Sequence, residues 1–197
     1  MKQLVLALGA ALILMPALAQ AQIEEEIEQI EIEENQIQVG LNGGIGGFLG
    51  QVNDFANTGP AYGVTASASE GGDLISYEAA FMGHTNGLEN IDSNITRNQL
   101  QAAVKVGPEL EAPVMWRPYA FGGVGAALTT VGDNPYGLTN AVEGLVPFGV
   151  GADFFTDSTF RVGIRGQYTW SVLGSDVADF AEHPDALSGT LNVSAAF

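Results

Sequence analysis

The sequence predicts an all-β chain closing into an eight-stranded antiparallel up-and-down transmembrane β-barrel. Three observations predict this architecture. Segments of roughly 11 to 14 residues alternate apolar and polar side chains with a period of two, as extended strands with two different faces do. Their connections alternate between short and long, as they do when turns collect at one rim of a barrel and loops at the other. Beyond residues 1–21 no apolar run approaches the roughly 20 residues of a helical span, whereas a tilted barrel strand crosses with about 9 to 11.

Residues 1–21 read as a secretory signal peptide. Lys2 supplies a positive start, Leu4 to Ala17 is almost wholly apolar, and Ala17-Leu18-Ala19 and Ala19-Gln20-Ala21 offer small-x-small cleavage sites. The run is short for a retained anchor. Residues 22–38 form a separate acidic tail, in which Glu24, Glu25, Glu26, Glu28, Glu31, Glu33 and Glu34 are interleaved with Ile23, Ile27, Ile30, Ile32 and Ile37. Like charges at this density oppose a short helix, so the tail is expected to be a flexible, solvated linker, with docking onto a cationic partner as the sharper reading. Loss of the leader removes Lys2 and no acid, leaving five basic residues against 23 acids, a formal charge of −18. Such a chain is a poor nucleic-acid binder. It has no cysteine, which excludes a disulfide framework, a thiol nucleophile and a cysteine metal site.

The barrel domain is expected over residues 39–197, with strands near 39–49, 59–69, 73–84, 95–106, 117–129, 143–154, 159–172 and 187–197. The first is rich in glycine, which suits a strongly curved strand. In the third, Ile75, Tyr77, Ala79 and Phe81 oppose Ser76, Glu78 and Ala80. The fourth sets Leu100, Ala102, Val104 and Val106 against Arg97, Gln99, Gln101 and Lys105. The sixth sets Val146, Phe148, Val150, Ala152 and Phe154 against Gly149, Gly151 and Asp153. The seventh sets Phe160, Val162, Ile164, Tyr168, Trp170 and Val172 against Arg161, Arg165, Gln167, Thr169 and Ser171. Tight turns follow the second and sixth strands, at Glu70-Gly71-Gly72 and Thr156-Asp157-Ser158, and longer polar loops follow the odd-numbered ones.

The last strand, Leu187 to Phe197, is expected to pair with the first near Val39 to Leu49, which removes both free edges at once.

Period-two alternation alone does not separate a membrane barrel from a soluble barrel or sandwich. The charges do better. Four of the five remaining basic residues, Arg97, Lys105, Arg161 and Arg165, fall on polar strand faces with Glu78 and Asp153, as if they pair across a confined lumen. Tyr62, Tyr77, Tyr119, Phe148, Phe154, Tyr168 and Trp170 lie near strand ends, which fits interfacial aromatic girdles.

With these features the chain resembles the small eight-stranded outer-membrane barrels, the OmpA-like and OmpX-like group. The resemblance covers residues 39–197 and rests on the leader, the hairpin spacing, the segment Pro118-Tyr119-Ala120-Phe121-Gly122-Gly123-Val124-Gly125 and the terminal Phe197. It implies the outer membrane of a Gram-negative envelope, both termini on the periplasmic side, and contact with outer-membrane lipid and lipopolysaccharide. It also implies delivery by periplasmic chaperones to the barrel-assembly machinery. In that group the last strand ends in an aromatic with apolar residues at alternate positions before it, which Leu191, Val193, Ala195 and Phe197 match as an assembly signal. Ala195 and the first and fifth strands are weakly hydrophobic for the group, which bears on insertion efficiency.

Enzymatic chemistry finds little support. The run Gly40 to Gly50 has no Gly-x-Gly-x-x-Gly register and no following Lys, so it is not a phosphate loop. A hydrolase would have to be built on His84 as base, Ser67 or Ser76 as nucleophile and Glu78 as orienter, and nothing in their spacing selects that trio; the other histidine, His183, falls in the last loop. No cofactor is expected. The loop carboxylates Asp54, Glu89, Asp92, Asp133, Asp176, Asp179, Glu182 and Asp185 form a hydrated acidic surface able to share Ca²⁺ or Mg²⁺ with lipopolysaccharide phosphates. The lumen cluster Glu78, Arg97, Lys105, Asp153, Arg161 and Arg165 is expected to be a salt-bridged plug, because an eight-stranded interior is about filled by side chains. The expected role is therefore structural or surface-interacting. A narrow channel for small or apolar molecules is the alternative, and a lipid-modifying enzyme is the third reading.

Overall fold

The computed structural model describes residues 36–69, 74–89, 92–111, 115–132, 140–155, 159–174 and 184–197; the leader, most of the acidic tail and His183 lie outside these. Nine strands follow in chain order: β1 (Gln36–Phe48), β2 (Gly59–Ser69), β3 (Ile75–Gly87), β4 (Asn94–Val106), β5 (Leu110–Glu111), β6 (Met115–Val131), β7 (Ala141–Phe155), β8 (Phe160–Gly174) and β9 (Ala186–Ala196). Among the described residues the only helical segment is a 3₁₀ turn, Gly50–Asp54. All eight expected strands are present. β5 is a two-residue addition that pairs only with β6 and takes no part in closing the barrel.

Each barrel strand pairs antiparallel with its sequence neighbour, β4 pairs with β6, and β9 returns to β1, so no edge is left open. The closing ladder runs from Gln38 opposite Ala196 to Phe48 opposite Ala186. Below it, Phe197 and Ile37 exchange backbone hydrogen bonds of 2.9 and 3.3 Å. β1 begins at Gln36 rather than Val39, because it continues to pair with Ser69 of β2 and with the end of the last strand. The close approach of β9 explains one of its glycines: a Cβ on Gly44 would run into the Gly189 carbonyl.

The rim where β1 starts and β9 ends is called the lower rim, and the opposite one the upper. Around the wall, alternate residues separate cleanly. On β8, Ile164 and Trp170 are 52% and 53% exposed while Arg165 and Gln167 between them are buried. The outward set also includes Leu41, Ile45, Phe81, Leu100, Val124, Leu128, Leu191 and Val193, an apolar belt of the kind that lipid requires. Two irregularities sit on β7. Pro147, which has no N–H to give, coincides with a gap in the β6–β7 ladder between the Gly122–Phe148 and Gly125–Leu145 pairs. A bulge at Gly144/Leu145 leaves Val172 without a cross-strand partner and sets Leu173 opposite Gly144. The outermost side chain at this end of β8 is thus Leu173, 70% exposed, and Val172 is only half-exposed.

Candidate functional site: a charged lumen under an apolar lid

The interior is where the unusual chemistry lies. Apart from Lys2, the chain has five basic residues, Arg97, Lys105, Arg117, Arg161 and Arg165, and every one of them is buried inside the barrel. Their positions follow from strand phase: all five occupy inward-facing positions on β4, β6 and β8. Buried charges at this density need partners, since an unpaired ion in a dry interior costs several kcal/mol.

Four side chains from four strands meet in the lower half. Arg165 Nη1 donates to Glu78 Oε1 at 2.6 Å, and Lys105 Nζ lies 3.8 Å from Glu78 Oε2 and 3.3 Å from Asp153 Oδ2. Aromatic faces complete the surroundings, with the Arg165 guanidinium 3.8 Å from the Phe121 centroid and Lys105 Nζ 4.0 Å from that of Tyr119. Above this net, Gln167 Nε2 donates to Gln101 Oε1 at 3.0 Å and to Thr169 Oγ1 at 3.1 Å. A small pocket in the charged layer, lined by residues of all eight barrel strands, measures about 10 Å³. That is room for about one water molecule.

Arg97 stands apart. It lies in the upper half, where Nη2 donates to Glu143 Oε2 at 2.5 Å and to Ser171 Oγ at 2.7 Å, and Nη1 donates to the Pro184 carbonyl at 2.7 Å. Thr129 Oγ1 adds a hydrogen bond of 3.3 Å to Glu143 Oε1. Arg161, near the lower rim, donates to Gln38 Oε1 at 3.3 Å and lies over the Phe155 ring. Arg117 Nε donates to the Gly107 carbonyl at 2.9 Å.

The six residues expected to form one network are therefore divided. Glu78, Lys105, Asp153 and Arg165 come together, while Arg97 and Arg161 belong to separate groups. Glu143 and Arg117 were missing from the expected set. Both signals were present in the strand phase, since Glu143 shares parity with Asp153 on β7 and Arg117 shares it with Tyr119 and Phe121 on β6.

Apolar residues gather at the upper mouth. Phe48, Val52, Ala56, Leu88, Ile95 and Ala141 form one buried cluster, with Phe55 and Val131 packed against it. Val52 and Ala56 come from the first outer connection, so this segment is a lid folded over the barrel rather than a free loop. Its backbone is pinned by Asn57 N–H to Gly87 O at 2.9 Å, Glu89 N–H to Phe55 O at 2.8 Å, and Leu49 N–H to Asp185 O at 2.8 Å.

The catalytic trio does not assemble. His84 lies six residues above Glu78 on β3, a rise of roughly 20 Å. Its Nδ1 is 2.5 Å from Asn86 Oδ1, while Glu78 is committed to Arg165 and Lys105. Of the loop carboxylates, Asp54, Glu89 and Asp92 are exposed, and Asp133, Asp176, Asp179 and Glu182 lie outside the described residues. Asp185 is not free for an ion: it accepts hydrogen bonds from the Tyr168 hydroxyl and from Ser171 N–H. Among the described residues no three acidic or histidine side chains cluster as a metal site. On the last strand, Leu191, Val193, Ala195 and Phe197 point outward, Phe197 the most exposed of them.

No protein family model matches the chain, and no curated protein matches it. Solved structures do. Neisserial surface protein A superposes with a TM-score of 0.59 at 8% identity, over 83% of this chain and 97% of that one. The N-terminal β-barrel domain of Pseudomonas aeruginosa OprF gives 0.53 at 15% identity, over 83% and 98%. The outer membrane protein OprG from Pseudomonas aeruginosa gives 0.51 at 10% identity, over 84% and 97%. Closed ladder, apolar belt, inward charges and these likenesses agree: the chain has the fold of the small eight-stranded outer-membrane β-barrels.

Proposed function

We propose that the protein is an exported outer-membrane barrel whose lumen is closed to solutes and whose working surface is its outer rim. In this reading residues 1–21 are removed on export, the acidic tail lies in the periplasm, and the barrel-assembly machinery reads the last strand. The observation that carries it is the interior itself. Five cations are held there with Glu78, Glu143 and Asp153, the charged layer keeps space for about one water, and an apolar lid covers the mouth. The outer surface has no Lys or Arg, so any contact with lipopolysaccharide phosphates would run through Ca²⁺ or Mg²⁺ held by exposed carboxylates such as Asp54, Glu89 and Asp92.

Planar-bilayer recording on the purified barrel tests the closed lumen: no sustained conductance is expected, and stable channels passing hydrophilic solutes would overturn it. Deletion of Phe197 is expected to lower the yield of heat-modifiable protein in outer-membrane fractions, and normal assembly of that variant would remove the signal reading. The alternative, a path for small apolar molecules, draws on an apolar groove of about 600 Å³ in the outer wall, bordered by Ile37, Ala66, Tyr77, Ala79, Ala102 and Val104. Inward-facing Ser67, Glu78 and Ala103 also border the groove, but strand pairing beneath it is unbroken from β2 through β6, which argues against an opening into the lumen.

A further inference from the structure

We propose that the shape of the outer surface is set from inside the barrel, with Asn86 and Arg97 as positioning residues that hold the first outer connection and the Pro184–Asp185 end of the last one. Both side chains face the lumen and both are fully buried. Asn86 spends its two amide hydrogens on carbonyls, that of Gly46 on β1 at 2.8 Å and that of Asn57 in the lid at 2.7 Å. Its oxygen must then face the His84 ring, so Nδ1 of that ring carries the proton and the amide has one orientation. Asn86 is thus a clamp between a barrel strand and the lid.

Arg97 does the same for the last connection. Pro184 is buried and lies outside any strand, so its carbonyl has no ladder partner and needs a donor. Arg97 Nη1 supplies one at 2.7 Å and Ser171 Oγ a second at 3.0 Å. Glu143 fixes the guanidinium from the far side. The two clamped segments touch through Leu49 N–H and the Asp185 carbonyl, so the lid and the Pro184–Asp185 end of the last connection are held as a unit. An apolar side chain at position 86 would take the Asn86 donor from the Gly46 and Asn57 carbonyls, and one at position 97 would leave the Pro184 carbonyl with Ser171 Oγ alone. The surface role proposed above gives this clamping its biological meaning, and the contacts themselves belong to the folded barrel in any medium.

The test uses the mature chain folded in detergent micelles and limited digestion with proteinase K. Asn86→Ala is expected to raise cleavage within residues 49–58 about tenfold, and the paired change Arg97→Met with Glu143→Leu to raise it by a similar factor at the Pro184–Asp185 segment. Heat-modifiable migration should be retained in both. Unchanged cleavage in folded variants would overturn the proposal, and so would a uniform rise that includes strand sites. Hydrogen exchange on the unaltered protein keeps the question open to refutation where a variant does not fold. Leu49 and Asn57 amides should exchange as slowly as those of β1, and exchange at free-peptide rates would sink the idea. No membrane enters the assay, so a barrel located elsewhere in the cell would undo the proposed function and leave this result standing.

Discussion

The lower and upper halves of the lumen both bury arginine, and they use it differently. Among the described residues Arg165 pairs with Glu78 and lies on Phe121, both on strands of the wall. Arg97 divides its donors between Glu143 and Ser171 on the wall and the Pro184 carbonyl in an outer connection. The lower net therefore braces the barrel against itself, while the upper pair braces the barrel against its loops. A buried ion pair contributes little over an apolar pair of the same volume, but removing one partner is expensive. What the two halves teach is that position decides which structure a lost partner disturbs.

Breaking the lower net should have the largest effect. Glu78→Leu leaves Lys105 and Arg165 to share Asp153, and urea titration of the folded barrel should show a loss of about 3 to 5 kcal/mol. A loss under about 1 kcal/mol would mean that the net does not brace the wall. Glu143→Leu alone should cost about 3 kcal/mol for the same reason, whereas the double change with Arg97→Met should recover most of that. A double variant as unstable as the single one would erase the contrast between the halves. Smallest is Val52→Ala in the lid, expected to cost about 1 kcal/mol or less in global stability while speeding cleavage of residues 49–58. Equal losses from Val52→Ala and Glu78→Leu would show that lid and wall unfold as one.

Much of the wall was legible in the sequence, because two environments on opposite faces of a strand impose a period of two. The faces of β3, β4 and β8 could be written down from residues such as Glu78, Gln101 and Arg165. The upper lumen was not legible in the same way. Leu145 and Pro147 follow Glu143 on the inward face of β7, so polarity no longer marks which face is inside. Arg117 precedes Pro118 at what reads as a strand end. The lid was hidden for a different reason: Gly50 to Thr58 is mostly polar, and the burial of Val52 and Ala56 depends on Leu88, Ile95 and Ala141, which are distant in the chain. The division of the charges was likewise a matter of height along the strands, which phase alone does not give. Arg97 and Lys105 share a face of β4 eight residues apart, a separation of roughly 26 Å.

The confinement of all five basic residues to the interior also makes the folded state conspicuous to a protease. Trypsin cuts only after lysine and arginine, so beyond Lys2 the assembled barrel offers it no accessible site on wall, lid or loops. The same chain before closure offers four, after Arg97, Lys105, Arg161 and Arg165, because the Arg117–Pro118 bond resists trypsin. Survival in trypsin is therefore a direct count of closed molecules, and an amine-reactive dye, with Lys105 sealed inside, should mark the chain's amino terminus and little else.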